Sequence, residues 1–304
     1  MASYFTAYGL NIHSEIDLLL PATSEDSAPD LTIRYANFTN VSLENLSWDG
    51  VWYEYHGRKQ LTLKWDIIGS YLITSGNEVL INPTGSVNDE NIRLPILGTI
   101  MAMVLQQRGC IVLHGSAVLM NEQVVIFAGN KGQGKSTLAA WLNHQGFPLL
   151  SDDVCAMDSR DKQPLSIRPA FPRIRLNPDV LLHLGDTPDH YPQVHPEVPK
   201  RICDMDEGFC TSPSPVGAVC VLESGEEMKL EQLHGMDAVK EILTHMLINR
   251  FPENQPDELR ETIFAQSAKT AQTIPVYRLT RPRDLQLLPE TTRLLQGLAT
   301  RPSL

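Results

Sequence analysis

Three glycines, a lysine and a serine in close order are the residues of this chain best suited to chemistry: Gly129, Gly132, Gly134, Lys135 and Ser136. Gly129 through Ser136 fits G-x-x-x-x-G-K-[ST], the spacing of a phosphate-binding P-loop. The glycines let successive backbone N–H groups turn inward as a nest for phosphate oxygens, and a helix starting at the loop's end adds its positive N-terminus. Lys135 supplies a mobile positive charge for β- and γ-phosphates, and the Ser136 hydroxyl is a hard oxygen ligand for Mg²⁺. Asn130, Lys131, Gln133 and Thr137 complete the loop. Sixteen residues after Ser136 stand Asp152 and Asp153. One carboxylate could hold Mg²⁺, directly or through water, while the other accepts a proton from an attacking hydroxyl. The residues leave open which does which.

The flanking elements must position this set. Val124–Phe127 is an apolar run of strand length, and Leu138–Leu142 continues the loop as a helix with Gly146 as its stop. Phe147–Ser151 reads as the returning strand. A parallel return puts both carboxyl ends on one sheet edge, where ligands bind in open α/β folds. Upstream, Cys110–Leu119 reads as a buried strand pair or one long strand, and Asn121-Glu122 turns it into the P-loop strand. His114 lies in that run, and a lone histidine there is ordinarily a core residue. Gly115 after it marks a bend or a close backbone approach. Downstream, Asp158 to Gln163 reads as a turn. Arg173 and Arg175, among prolines, could clamp triphosphate oxygens or an anionic substrate, or be solvated surface. Asn177 to Leu184 suits a short helix. Residues 185 to 215, dense in proline and polar residues, read as a mobile lid or peptide-docking loop from which Lys200 and Arg201 could reach phosphate. His190 and His195 are spaced too irregularly for a metal site.

The 304 residues allow one large domain or two unequal ones. A net charge of −11 suits nucleic acid poorly, although a nucleotide site needs only a few cations. Five cysteines in no zinc spacing suggest free thiols in a reducing compartment. No basic-then-apolar leader opens the chain and no apolar run approaches bilayer length, so a cytoplasmic protein without a membrane span is expected. Residues 1–90 are expected to form a β-rich N-terminal domain, starting with Tyr8–Ile12, whose Trp52, Tyr53, Tyr55 and Trp65 fill a sheet core or line a ligand face. Residues 91–304 form the catalytic domain in this reading. It opens with a helix from Asn91 to Gly109. Later come strands at Val216–Leu222, Met228–Leu233 and Ile274–Leu279, and helices from Asp237 to about Asn249, Glu258 to Thr273, and Leu285 to Gln296.

His114-Gly115, the P-loop, and Ser151-Asp152-Asp153-Val154, in this order and close spacing, resemble the HPr kinase/phosphorylase superfamily of bacterial serine kinases. Within it the chain looks most like the lasso-peptide precursor kinases, which phosphorylate a serine hydroxyl at the precursor's C-terminus. The similarity covers almost the whole chain, including Tyr8-Gly9-Leu10, Leu113–Ala117, Pro172–Leu176 and Pro199-Lys200-Arg201. It implies an α/β fold, a P-loop HPr-kinase-like (PEP carboxykinase-like) kinase core with a small β-rich N-terminal domain. It also implies ATP and Mg²⁺ as cofactors, a peptide or small-protein substrate, and a homo-oligomer, often a hexamer. By the same resemblance Lys135 and the loop amides bind ATP phosphates, Ser136 and Asp153 hold Mg²⁺, Asp152 is the base, and His114 sits near the transferred phosphoryl group. Two departures speak against HPr as substrate and against phosphorolysis. Thr137 stands where true HPr kinases commonly have an acidic residue. Arg168–Arg173 takes the approximate place of their E-V-R-G-L-G signature. Other readings are an HPr kinase, a free-serine or small-molecule kinase, an RNA-hydroxyl kinase, or a non-catalytic ATP-binding regulator. The acidic charge weighs against RNA, and the intact Lys135, Asp152 and Asp153 weigh against the regulator.

Overall fold

Among the described residues the chain is mixed α/β with three sheets. A computed structural model describes residues 2–25, 28–38, 47–85, 87–158, 164–195 and 198–298. The turn expected at 158–163 falls outside these, save for Asp158 itself. The chain divides into two units, Met1–Val112 with Met246–Gln266, and Leu113–His245 with Ser267–Leu304. The division thus falls after Val112 rather than near residue 90, and the first unit takes back a later segment.

The first unit carries β1 (Ser3–Ala7), β2 (Leu10–Ser14), β3 (Leu31–Tyr35), β4 (Ser47–Trp48), β5 (Val51–Tyr55), β6 (Gln60–Trp65), β7 (Gly69–Thr74) and β8 (Glu78–Pro83). They form one sheet in the order β1-β2-β3-β8-β7-β6-β5-β4. Alternate burial along β2 and β5 shows why these segments are strands: every second side chain enters the core. Tyr8 (φ 54) and Gly9 (φ 67) form the β1–β2 turn, so the strand expected from Tyr8 starts at Leu10. Tyr53 is buried against Phe251, ring centres 5.1 Å apart, and Tyr55 Oη donates to Phe251 O at 2.9 Å. These two aromatic residues hold the returning segment. The first helix runs as α1 (Asp89–Pro95), a π-helical turn (Ile96–Ile100) and α2 (Met101–Gln107). Asn88 caps it by accepting from Asn91 N. The π turn directly follows Pro95, which lacks the N–H an α-helix needs.

The second unit contains β9 (Ile111–Met120), β10 (Gln123–Ala128), α3 (Lys135–His144), β11 (Leu149–Asp158), β12 (Ser166–Ile167), β13 (Arg173–Leu176), α4 (Pro178–His183), β14 (Gln193–His195), β15 (Val198–Asp204), β16 (Ser214–Ser224), β17 (Lys229–Leu233), α5 (Gly235–His245), the end of α6 (Asp257–Thr273), β18 (Val276–Arg281) and α7 (Leu288–Gln296). Its main sheet runs β10-β9-β11-β12-β16-β18-β17, and β10 also pairs with β16, so the first five strands close into a ring. Phe127, Leu138, Leu142, Leu149, Leu222 and Leu279 are fully or nearly fully buried in its core. Burying each such side chain contributes roughly 1.5–3 kcal/mol.

Two expectations gain detail here. The returning strand β11 runs parallel to β10, as expected, but β9 lies in the place beside β10. A tight hairpin at Asn121 (φ 47) and Glu122 (φ 67) folds β9 antiparallel onto β10 and takes that place first. β11 adds outside β9 and runs against it, since Leu119 N donates to Pro148 O at 2.8 Å while His114 lies against Asp153. Residues 185–215, expected as a lid or docking loop, carry strands of their own. β14 and β15 join β13 in a three-stranded antiparallel sheet. Ile174 pairs with Cys203, and both are buried. The apolar side of this ribbon is what folds it, and the prolines between the strands hide the alternation in sequence.

Candidate functional site

The glycine-rich loop is built by its backbone. β10 ends at Ala128, and Gly129 (φ 146), Gly132 (φ 85) and Gly134 (φ 79) take conformations closed to ordinary side chains. A Cβ on Gly129 would also lie 2.9 Å from Leu222 O of β16. α3 then starts at Lys135 and stops at Gln145-Gly146, where Phe147 N bonds back to Leu142 O. Asn130, Lys131 and Gly132 are exposed at the tip, and Gln133, Ser136 and Thr137 are half-buried. Lys135 is buried, and its Nζ donates to Gly129 O at 2.7 Å and Asn130 O at 3.1 Å, spanning the start of the loop.

The acidic pair meets the loop through β9. Asp152 Oδ1 accepts from Ser136 Oγ at 2.9 Å and from Ser116 Oγ at 2.6 Å. Withdrawal from water, and then the neighbouring Asp153, push the Asp152 carboxyl above its ordinary pKa; the two serine hydroxyls and the Lys200 charge oppose this. Asp153 is 41% exposed, with His114 Nδ1 at 3.2 Å from Oδ1 and Arg175 Nη1 at 3.9 Å from Oδ2. His114 Nδ1 also lies 3.1 Å from Asp153 O. Asp153 has φ 76 in the middle of β11, and Ser151 Oγ donates to Val154 O at 2.5 Å across that kink. Gly115, between His114 and Ser116, faces Ala128; a Cβ there would sit 2.6 Å from Phe127 O. Glycine therefore lets β9 approach the P-loop strand closely, as a glycine in a strand suggests.

The structure brings Lys135, Ser136, Asp152, Asp153 and His114 into one cluster. Of the cations read from sequence, Arg175 lies beside Asp153. It shares a face of the β13–β15 ribbon with Lys200, because Arg175 pairs with Ile202, two residues from Lys200. Arg173 lies on that face too, with Nε 3.0 Å from Asp204 Oδ1. Arg201 points to the other side, with Nη2 3.2 Å from Asp189. Two residues were not singled out from sequence. Ser116 is buried between strands, and its only signal is its place two residues after His114, which puts both on one face of β9. His245, at the end of α5, is buried with Nε2 3.5 Å from Glu241. Burial pushes its pKa down, Glu241 opposes, and the nearby Lys135 and His114 charges reinforce the fall.

No family model matches the chain. No curated protein matches it either. Among solved structures, the Hpr(Ser) kinase/phosphatase from Coxiella burnetii is similar at 14% identity and TM-score 0.34, over 62% of this chain and 90% of that one. No helix among the described residues is long and apolar enough to cross a membrane.

Proposed function

We propose that this chain is an ATP- and Mg²⁺-dependent serine kinase of the HPr-kinase-like type, acting on a peptide, with the C-terminal serine of a lasso-peptide precursor as acceptor. The observation that carries the reading is the Ser136–Asp152 contact of 2.9 Å at the start of α3, with Asp153 beside it. That contact sets a hydroxyl and a carboxylate oxygen together at the mouth of a phosphate loop. Among the described residues no group of three or more His, Cys, Asp or Glu could hold a metal ion. A hydroxyl with one or two carboxylates fits Mg²⁺, which keeps waters and takes the rest of its oxygens from phosphate. Bound there, it would neutralise charge on the β- and γ-phosphates.

Of the two assignments left open for the aspartates, the geometry supports Asp152 with Ser136 on the metal side and Asp153 as the base. Asp152 is held by two serines and has a raised pKa, which a nearby cation would bring down. Asp153 is the more open of the pair, oriented by His114 and Arg175. In this mechanism Lys135 and the loop amides hold the triphosphate. Asp153 takes the proton as the acceptor oxygen bonds to the γ-phosphorus, and the bond from that phosphorus to the bridging oxygen breaks to release ADP. Arg175 and Lys200, on one face near the acidic pair, suit an acceptor whose hydroxyl lies close to a carboxylate, as in a terminal serine.

The test is mass spectrometry after incubation with Mg²⁺-ATP and a panel of peptides ending in serine, HPr and free serine. One phosphate gained on a terminal peptide serine, and lost in Asp153→Asn with ATP binding retained, is the expected result. Transfer only to HPr or free serine overturns the acceptor. Tight ATP binding with no transfer to any of them overturns the kinase in favour of a nucleotide-dependent regulator.

A further inference from the structure

β18 ends on Arg281, which is 6% exposed. A guanidinium carries five donors and keeps its charge. Among the described residues this one makes no side-chain hydrogen bond and no ion pair, and its Nε is shut from water without a partner. Burial pushes it below the ordinary arginine value, and the only group opposing that is the Cys220 thiol, not a carboxylate. Its position is specific. A Cβ built on Gly134, the residue before α3, would lie 2.7 Å from Arg281 Nη2. The guanidinium is therefore packed against the last glycine of the phosphate loop. The same sheet edge grips the loop a second time: Ser224, paired with Arg281 across β16–β18, donates from Oγ to Gln133 Oε1 at 2.6 Å. Arg283 Nε donates to that Ser224 oxygen at 2.6 Å.

A buried charge with no partner opposes folding, and an apolar side chain of similar volume would serve packing better. An arginine in this position makes sense when its anion arrives with a ligand. The neighbouring feature that takes anions is the loop itself, with its inward N–H groups and the N-terminus of a ten-residue helix. Lys135 serves the Gly129–Asn130 end of that loop, and Arg281 lies at the Gly134 end.

We infer that Arg281 is a second phosphate-binding cation of this loop, whose counter-ion is the polyphosphate chain of the bound ligand. The inference rests on the phosphate-binding part of the function proposed above and not on the acceptor.

Tripolyphosphate and Mg²⁺-ATP are the probes, titrated calorimetrically into full-length wild type, Arg281→Met and Arg281→Lys. Thermal unfolding is followed with and without tripolyphosphate. Arg281→Met should bind tripolyphosphate at least about tenfold more weakly, equivalent to ~1.4 kcal/mol, and Arg281→Lys should fall between. Without ligand, Arg281→Met should unfold at the wild-type temperature or above it, while its ligand-induced rise in Tm shrinks. Unchanged affinity in Arg281→Met overturns the inference. So does a drop in unliganded Tm with lost affinity, since that marks a structural prop. Wild type that binds neither probe overturns the phosphate loop and Arg281 together. Wild type that binds both but phosphorylates nothing overturns only the kinase, and Arg281 is then judged by its affinity ratio.

Discussion

Ser116→Ala isolates the contact that ties β9 to the acidic pair. The hydroxyl is buried and donates to Asp152 Oδ1 at 2.6 Å; the other donor to that oxygen is Ser136 at 2.9 Å. A hydrogen bond to a charged group is worth roughly 1.5–3 kcal/mol and one between neutral groups about 0.5–1.5 kcal/mol. Which value applies depends on the protonation of Asp152. Its carboxyl is raised in the folded chain, so the charged form opposes folding. That penalty is absent below the unfolded pKa, grows as pH rises from there to the folded pKa, and is complete above it. The Ser116 hydroxyl favours the charged form and reduces the penalty. Ser116→Ala should therefore cost the larger amount at neutral pH and shrink toward the smaller one as acid protonates Asp152. The assay is urea unfolding between about pH 4 and pH 8. It is followed by the fluorescence of Trp141, the tryptophan of the second unit, with Trp48, Trp52 and Trp65 replaced by phenylalanine. In an Asp152→Asn background the cost should stay at the smaller value throughout. A cost that ignores pH, or one equally large in that background, refutes the reasoning.

Lys135→Met removes the ammonium that spans Gly129 O and Asn130 O, and should weaken Mg²⁺-ATP binding at least ~tenfold by calorimetry; unchanged affinity would remove the lysine from the phosphate site. Gly134→Ala forces a side chain to φ 79, costing about 1–2 kcal/mol, and pushes against Arg281. In an Arg281→Met background the steric part of its Tm loss should recover and the backbone part persist; no recovery would deny the contact. With a disulfide thiol reagent, native protein should show one fast cysteine, the half-buried Cys210, because Cys110, Cys155, Cys203 and Cys220 are buried. Burial pushes the Cys203 thiol up to about 11 and Cys220 to about 12, which makes thiolate scarce at neutral pH. A second fast thiol would contradict this packing.

The glycine-rich turn between β10 and α3 was legible because its spacing is a backbone requirement: three residues at positive φ leave few options besides glycine. Asp152 and Asp153 were legible as a pair on a strand parallel to β10, but nothing in the run Leu149–Ser151 tells that β9 already occupies the edge of β10. A serine in an apolar strand carries no mark, so Ser116 could be found only by its two-residue offset from His114. Arg281 reads in sequence like any arginine at a strand end. Its burial comes from β16 and β18 closing on the loop, a tertiary event. Proline density likewise concealed β14 and β15, whose pairing depends on the buried face of the β13–β15 ribbon rather than on local propensity.

Adjacent residues of a strand point to opposite faces, so two consecutive aspartates should not serve one site. Here both do. Asp152 meets Ser116 and Asp153 meets His114, and these partners share one face of β9. The left-handed conformation of Asp153 breaks the alternation, and the Ser151-to-Val154 bond closes the kink. Aspartate, asparagine and glycine enter that conformation at little cost, whereas most residues lose ~1–2 kcal/mol there. Position 153 therefore carries two demands, a carboxylate and a tolerance for positive φ, which aspartate alone among the acids combines well. Asparagine is for that reason the substitution that removes the charge and keeps the kink. Alanine removes both and turns Asp152 as well, so an inactive alanine variant by itself would not tell which carboxylate the chemistry needs.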